Sequence, residues 1–374
     1  MTSFSRTDTS ILGRWWWTVD RWTLAALILI SAIGIILTMA ASPAVAERMN
    51  LDPFYFSRRQ AIYLPLALVV LLLTSLLSPK GVQRTAVLVF IGAFILTLST
   101  LFVGEEIKGA RRWLYIAGVS VQPSEFLKPA FAVCCAWFFA RARMTGRQTG
   151  YVLGTLLLLS VVGVLSQQPD VGTSVLMAGA WAVQVFVVGC PLLLFGVIGA
   201  LFAGGGVAAY FTFDHVRNRV DYFLNPDSGE GFQINRALDA FRSGGLFGRG
   251  PGEGHVKEVL PDAHSDFIFA VAGEEFGLVL CLILVGLFVF VIVQAFSRAV
   301  KANDLFVILA AASLTALFGA QALMNMASTL HLIPPKGITL PFISYGGSAM
   351  IALAWTMGMV LALTREGSSG VRRS

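Results

Sequence analysis

His264-Ser265-Asp266-Phe267-Ile268-Phe269 divides the chain into its two kinds of segment: it closes a polar stretch of roughly residues 212–266 and opens an apolar one of roughly 267–297. A run of that length with so few charges reads as a membrane-crossing helix, since about 20 apolar residues cover a hydrocarbon core of about 30 Å. Asp266 therefore lies where water meets hydrocarbon. At mid-bilayer depth an ionised Asp costs on the order of 2.5–3.5 kcal/mol, so its position needs a reason. Either Asp266 caps the helix that follows, accepting backbone N–H bonds, or it is a reactive carboxylate facing a substrate held at the membrane surface. The second reading requires an anionic, lipid-borne substrate and cations nearby to hold it.

The same contrast repeats along the whole chain. Hydrophobic residues make up 56% and charged residues only 13%, against about a quarter charged in soluble domains, and the charges cluster between long uncharged runs. This is an all-α, polytopic integral membrane protein, one domain over residues 1–374. Ten spans fit, roughly 22–42, 60–79, 83–103, 124–141, 151–168, 171–189, 191–211, 267–297, 305–325 and 340–364. The eighth is long enough to include a tilted or interfacial turn.

Lys and Arg in short loops set the orientation. Arg6, Arg14 and Arg21 precede the first span, and Lys80, Arg84, Arg141, Arg143, Arg147, Arg298, Lys301 and Arg365 recur on the same side. That side is expected to be cytoplasmic and to hold both termini, with 1–21 and 365–374 as tails. The stretch 212–266 then forms a large extracytoplasmic loop between the seventh and eighth spans. Cations also stand on the outer side, among them Arg58, Arg59, Lys108, Arg111, Arg112 and Lys336. They oppose the topological bias, and an anionic ligand would explain them. No nucleic-acid partner is expected.

The run after Arg21, ending in Ala44-Val45-Ala46, imitates a signal peptide but exceeds a 7–15-residue signal core and is followed by more spans, so cleavage is not expected. Cys134, Cys135, Cys190 and Cys281 lack metal-type spacing and read as small core residues. Trp15-Trp16-Trp17 reads as an interfacial anchor, with partner binding by residues 1–20 as the alternative. Arg58 and Arg59 are either snorkelling arginines or, for Arg59, a phosphate contact. In Gln122-Pro123-Ser124-Glu125-Phe126-Leu127-Lys128, Pro123 suits the first position of a helix, and Glu125 and Lys128 share one face. They either neutralise each other on entering lipid, or Lys128 joins Arg111 and the helix N-terminus in binding phosphate. Gln168-Pro169-Asp170 repeats the pattern, with Asp170 a helix cap or a third outer carboxylate of one shared cavity.

The glycine-rich centre Gly244-Gly245-Leu246-Phe247-Gly248-Arg249-Gly250-Pro251-Gly252 is not a P-loop, because no Gly-Lys-Ser/Thr ends it and no strand precedes it. It reads as a mobile, mildly amphipathic flap. His264, Ser265 and Asp266 have the residue types of a hydrolase triad, but sequence neighbours do not supply triad geometry. Glu274 and Glu275, about two turns into the eighth span, should face a cavity or a partner.

Several blocks in fixed order resemble the SEDS family, the shape, elongation, division and sporulation proteins. They are Arg59-Gln60, Gly109 to Trp113, Gln122 to Glu125 with Lys128, Gln168-Pro169-Asp170, Gly244-Gly245, His264 to Phe269, Glu274-Glu275 with Gly277, and Lys336-Gly337 through Ser348. The similarity spans nearly all of the chain. Ala272-Gly273-Glu274-Glu275 and Pro261-Asp262-Ala263-His264 are closer to the division member than to the elongation member. Phe232, Pro335 and Ala349 depart from the usual pattern in substrate-side loops.

The resemblance implies a peptidoglycan glycosyltransferase in the plasma (inner) membrane at the septum. It would polymerise lipid II, an undecaprenyl-pyrophosphate-linked disaccharide pentapeptide, beside a class B penicillin-binding protein and other division proteins. It places the motif aspartate at Asp266, as general base, and substrate contacts at Arg59, Arg111, Glu125, Lys128, Asp170, Gln233, Lys336 and Ser344. A divalent cation, Mg or Mn, on the pyrophosphate is compatible with this but has no ligand signature in the chain. The rivals are a lipid II flippase or transporter, an elongation-type polymerase, and a non-enzymatic scaffold. A transporter calls for midplane charges in broken helices and for pseudo-symmetric halves, whereas most acids here lie near the outer boundary.

Overall fold

The computed structural model describes residues 10–107, 109–116, 118–189, 192–212, 216–218, 220–221, 231–334 and 337–365. It is mostly helical. A short surface helix, α1 (Ile11–Thr18), is N-capped by Ser10, which accepts from the Gly13 N–H at 3.0 Å. The apolar stretches then fold as α2 (Arg21–Arg48), α3 (Tyr55–Ser75), α4 (Pro79–Val103), α5 (Pro123–Thr145), α6 (Thr149–Gln167), α7 (Val171–Val187) and α8 (Leu192–Thr212). Two helices of the 231–260 region follow, α9 (Gly231–Gly244) and α10 (Val256–Val259), and then α11 (Ile268–Ala299), α12 (Leu305–Thr329) and α13 (Gly347–Leu363). Among the described residues six helices are long and apolar enough to cross a membrane, and α7 and α13 are shorter apolar helices. The chain is a multi-pass membrane protein.

α12 is the hub. It packs against α5, α7, α11 and α13, and most of its apolar stretch is buried inside the protein. A span enclosed by other helices can carry polar side chains that lipid would reject, and α12 does so at Ser313, Gln321 and Asn325, all buried. One end of the bundle is tied by polar contacts to the termini. Trp15 donates to Ser75 Oγ at 2.9 Å, Arg298 pairs with the buried Asp20 at 2.9 Å, and Arg365 donates to the Leu77 carbonyl at 3.1 Å.

The structure amends the sequence reading in four places. The all-α expectation gives way at 105–121, where β1 (Glu105–Ile107), β2 (Ala110–Ile116) and β3 (Val119–Val121) form an antiparallel sheet in that order. Gly109 and Gly118, at φ 76° and 80°, make its turns; only glycine takes that conformation without strain. The tenth span begins at Gly347 rather than 340, because Pro341 and the left-handed Phe342 (φ 61°) keep 340–346 out of the helix.

The eighth span is broken at Gly277 (φ 75°, ψ −171°) into 268–276 and 278–299. The break is filled by the glycine-rich stretch, which is docked rather than free. Leu278 and Val279 donate N–H bonds to the Gly245 and Leu246 carbonyls, at 3.0 and 3.2 Å, while Arg249 and Gly250 donate back to the Glu274 and Glu275 carbonyls, at 2.9 and 3.0 Å. A Cβ on Gly248 would stand 2.1 Å from the Glu275 carbonyl oxygen, so the backbones approach closely only because no side chain intervenes. Lys257 and Glu275 form a buried ion pair beneath this stretch.

Candidate active site

Asp266 sits on the turn 261–267 that leads into α11, and it is half-buried. The N-cap of the helix is Phe267, one residue past Asp266, and the Phe267 side chain makes no capping bond. The turn is held by its neighbours. Asn325 on α12 gives both hydrogens of one amide to main-chain carbonyls, those of Asp266 at 2.9 Å and Ile338 at 2.7 Å. Ser344 Oγ donates to the Ser265 carbonyl at 2.6 Å and accepts from the Leu340 N–H at 2.7 Å. The Tyr345 N–H donates to the His264 carbonyl at 2.9 Å. Three hydrogen bonds converging on one short turn favour a single conformation. The turn is thus stapled to the 337–346 loop, and Asp266 Oδ2 lies beside Gly337, 3.6 Å from where a Cβ would stand.

An aromatic wall continues the site. The His264 ring lies 4.1 Å from that of Phe56, with Tyr345 5.5 Å from His264 and 5.1 Å from Phe56. Arg59, one turn along α3 from Tyr55, stacks over that ring at 4.8 Å and reaches the Tyr345 hydroxyl. Burial pushes the Tyr345 hydroxyl above its usual value, with Arg59 pulling the other way. The chain Arg59–Tyr345–His264 thereby brings the α3 cation up to the Asp266 turn.

Glu125 and Lys128 lie deeper. They form a buried ion pair at 2.8 Å, and Lys128 also donates to Gln321 Oε1 at 3.0 Å. Gln321 Nε2 in turn donates to the Thr339 carbonyl at 3.2 Å. Gln321 and Asn325 are one turn apart on α12 and so share a face. Through them the Glu125–Lys128 pair buttresses the same 337–346 loop that holds Asp266, and it lines a narrow cavity with Phe318, Leu353 and Thr356.

The remaining predicted residues are placed elsewhere. Arg111 is exposed on β2 and pairs with Glu106 at 3.5 Å. Arg112, on the opposite face of that strand as the two-residue period requires, donates to the Gln168 and Pro169 carbonyls at 3.0 and 2.7 Å. Asp170 is buried and caps α7 by accepting from the Thr173 N–H at 3.1 Å; Arg112 lies 3.9 Å away. The shared-cavity reading of the three acids therefore loses Asp170 to a cap, while Glu125 and Asp266 are linked through α12. Gln233 is half-buried on α9, and Lys336 lies outside the described residues. Glu274 accepts N–H bonds from Val256 and Lys257, at 2.7 and 2.9 Å, and so holds the start of α10.

Sequence reasoning missed Gln321, Asn325 and Tyr345. Two polar residues one turn apart inside an apolar span were the signal for the first two; Tyr345 gave none. Among the described residues no three His, Cys, Asp or Glu side chains converge to hold a metal ion.

Residues 20–369 match the family described as cell cycle protein, FtsW/RodA/SpoVE. The chain belongs to this family, the SEDS family. Among its SEDS relatives, the probable peptidoglycan glycosyltransferase FtsW of Caulobacter vibrioides is 46% identical over 97% of this chain and 94% of that protein. The Escherichia coli protein of the same name is 33% identical over 93% and 86%. Similar solved structures include a chain from work described as structural coordination of polymerization and crosslinking by a peptidoglycan synthase complex. Its TM-score is 0.78 at 29% identity, covering 92% of this chain and 97% of that one. Rod shape determining protein RodA of Thermus thermophilus gives 0.67 at 28% identity, covering 93% and 97%. Within the SEDS family the chain is FtsW-like.

Proposed function

We propose that this SEDS protein is a peptidoglycan glycosyltransferase that polymerises lipid II into glycan strands for septal wall synthesis, with Asp266 as general base. The observation that carries the reading is the setting of Asp266: it stands beside Gly337 on a turn whose backbone is pinned by Asn325 and by Ser344 through Ser265.

In the reaction the GlcNAc 4-hydroxyl oxygen forms a bond to the anomeric carbon of a MurNAc unit. The bond from that carbon to the diphosphate breaks on the opposite face, so the centre inverts, and the electron pair leaves with undecaprenyl diphosphate. Asp266 takes the hydroxyl proton, a role worth roughly 10²–10⁴-fold. Arg59, against Tyr345 at the edge of the turn, is the described cation placed to meet negative charge on the leaving group. Arg111 and Lys336 are assigned the same role. Lys128 would have to release Glu125 or Gln321 to reach a phosphate, so in this setting it acts with Glu125 as a buttress. A Mg or Mn ion on the pyrophosphate would take its ligands from phosphate oxygens and at most a carboxylate or two, the habit of Mg sites at phosphates.

The topology that goes with this reading has ten spans, both termini in the cytoplasm, and Asp266 at the outer leaflet. The contacts of Ser75, Leu77 and Arg298 with the terminal segments support putting both termini at one end. Lipid II is then met at the outer face of the plasma membrane, beside a class B penicillin-binding protein that cross-links the product and among other division proteins. The test uses purified protein, its transpeptidase partner and labelled lipid II. Asp266→Asn should bind the partner yet make no glycan chains; chains at the parent rate would overturn the assignment. Depletion in cells should block septation while elongation continues, whereas loss of rod shape would point to the elongation-type role.

A further inference from the structure

The break at Gly277 also marks a change in what surrounds α11. From Ile268 to Glu275 every residue is buried, covered in part by α9, whose Phe241 ring sits 5.7 Å from that of Phe269. From Leu278 onward the helix shows an exposed apolar stripe of Leu278, Val279, Leu282, Ile283, Val289 and Val293. The 22 residues from Leu278 to Ala299 rise about 33 Å at 1.5 Å each, close to the hydrocarbon core of about 30 Å. The lipid-crossing part of α11 therefore begins at the break.

Leu246 and Phe247 stand at that level, because the Val279 N–H donates to the Leu246 carbonyl. Both are highly exposed, Phe247 at 81%. They are the tip of a turn that the carbonyls and N–H groups of 274–279 hold rigidly. The helix end that leads into this stretch is polar: Arg242 is exposed on α9 and pairs with Asp239 at 3.6 Å. A rigid apolar tip, level with the first lipid-facing residues and backed by charge, has the make-up of an interfacial membrane contact.

We infer that Leu246 and Phe247 insert into the outer-leaflet acyl chains beside Leu278 and Val279, anchoring the 231–260 segment to the lipid surface. The occupant is phospholipid because the tip continues the lipid-facing stripe of α11. This inference does not depend on the proposed reaction, and only its choice of leaflet rests on the topology proposed above.

The full chain carrying photoreactive benzoylphenylalanine in place of Phe247 is placed in phosphatidylethanolamine/phosphatidylglycerol vesicles and irradiated, and adducts are read by mass spectrometry. The same probe at Leu282 marks a position on the stripe, and at Arg242 a position in water. Phospholipid adducts at 247 and 282 and none at 242 are expected, unchanged by adding the transpeptidase partner. Three results would overturn the inference: adducts at 282 alone, a 247 adduct that the partner abolishes, or a 247 adduct that forms only with an added polyprenyl diphosphate.

Discussion

Asp170 and Asp266 each stand before an apolar helix at the same kind of boundary, yet they are held differently. Asp170 is the N-cap of its helix, takes the Thr173 N–H at 3.1 Å, and is 4% exposed beside Arg112. Asp266 is one residue before the N-cap, on a turn whose carbonyls are bonded by Asn325 and, through Ser265, by Ser344. One carboxylate stabilises the backbone that follows it. The other is itself positioned by backbone and side chains from α12 and the 337–346 loop. An acid next to a helix start becomes a candidate base when its backbone is pinned from other elements of the fold.

The largest expected effect breaks that contrast at Asp266. Asp266→Asn should lower lipid II polymerisation by roughly 10²–10⁴-fold with unchanged thermal unfolding, whereas Asp170→Asn should keep turnover per folded molecule near that of the parent. Equal losses of turnover in both would erase the distinction. Next in size is a third acid, Glu275, consumed by a buried ion pair with Lys257. Lys257→Met alone leaves an uncompensated buried charge and should cost about 3–5 kcal/mol of stability, while Lys257→Met with Glu275→Leu should recover most of it. Detergent-solubilised thermal unfolding of the three proteins checks this; an equal loss in the double variant would mean that the pair's hydrogen bonds, rather than its charges, hold the segment.

Much of this was readable before any coordinates. The long apolar runs lie mainly in helices, six of them long and apolar enough among the described residues to cross a membrane, because a stretch of about 20 residues nearly without charge has few other uses. Asp266 stands out as a candidate in the sequence because a carboxylate at the edge of an apolar run needs a reason. The sheet at 105–121 was not, since Arg111-Arg112-Trp113 reads as a charged loop, and its two-residue period shows only once Gly109 and Gly118 are known to turn. The docking of Gly244 to Gly252 was also hidden. Glycine-rich composition looks the same whether the chain is loose or pressed against another backbone, and the partner lies some 30 residues on, at Gly273 to Gly277. Asn325 and Gln321 could have been found as polar residues in an enclosed span; that their partners are the loops around Asp266 is a tertiary fact.

A smaller effect tests the cap. Asp170→Ala should cost about 0.5–2 kcal/mol, as N-cap losses do, and should lower thermal stability while leaving the Michaelis constant for lipid II unchanged.

The last and smallest change in stability tests the staple. Ser344→Ala removes one donor to the Ser265 carbonyl and one acceptor for the Leu340 N–H, interactions with a net worth of about 0.5–1.5 kcal/mol each. The fold should survive, since Asn325 and the Tyr345 N–H still hold the turn. Turnover should suffer more than stability does, because a displacement of about 1 Å in a reacting group can cost up to about 10²-fold. The expected signature is a fall in kcat at constant KM, with recovery in Ser344→Thr, which keeps the hydroxyl. A purely structural serine would instead reduce the amount of folded protein and leave kcat per folded molecule intact, and Asp266 would then owe its position to Asn325 alone.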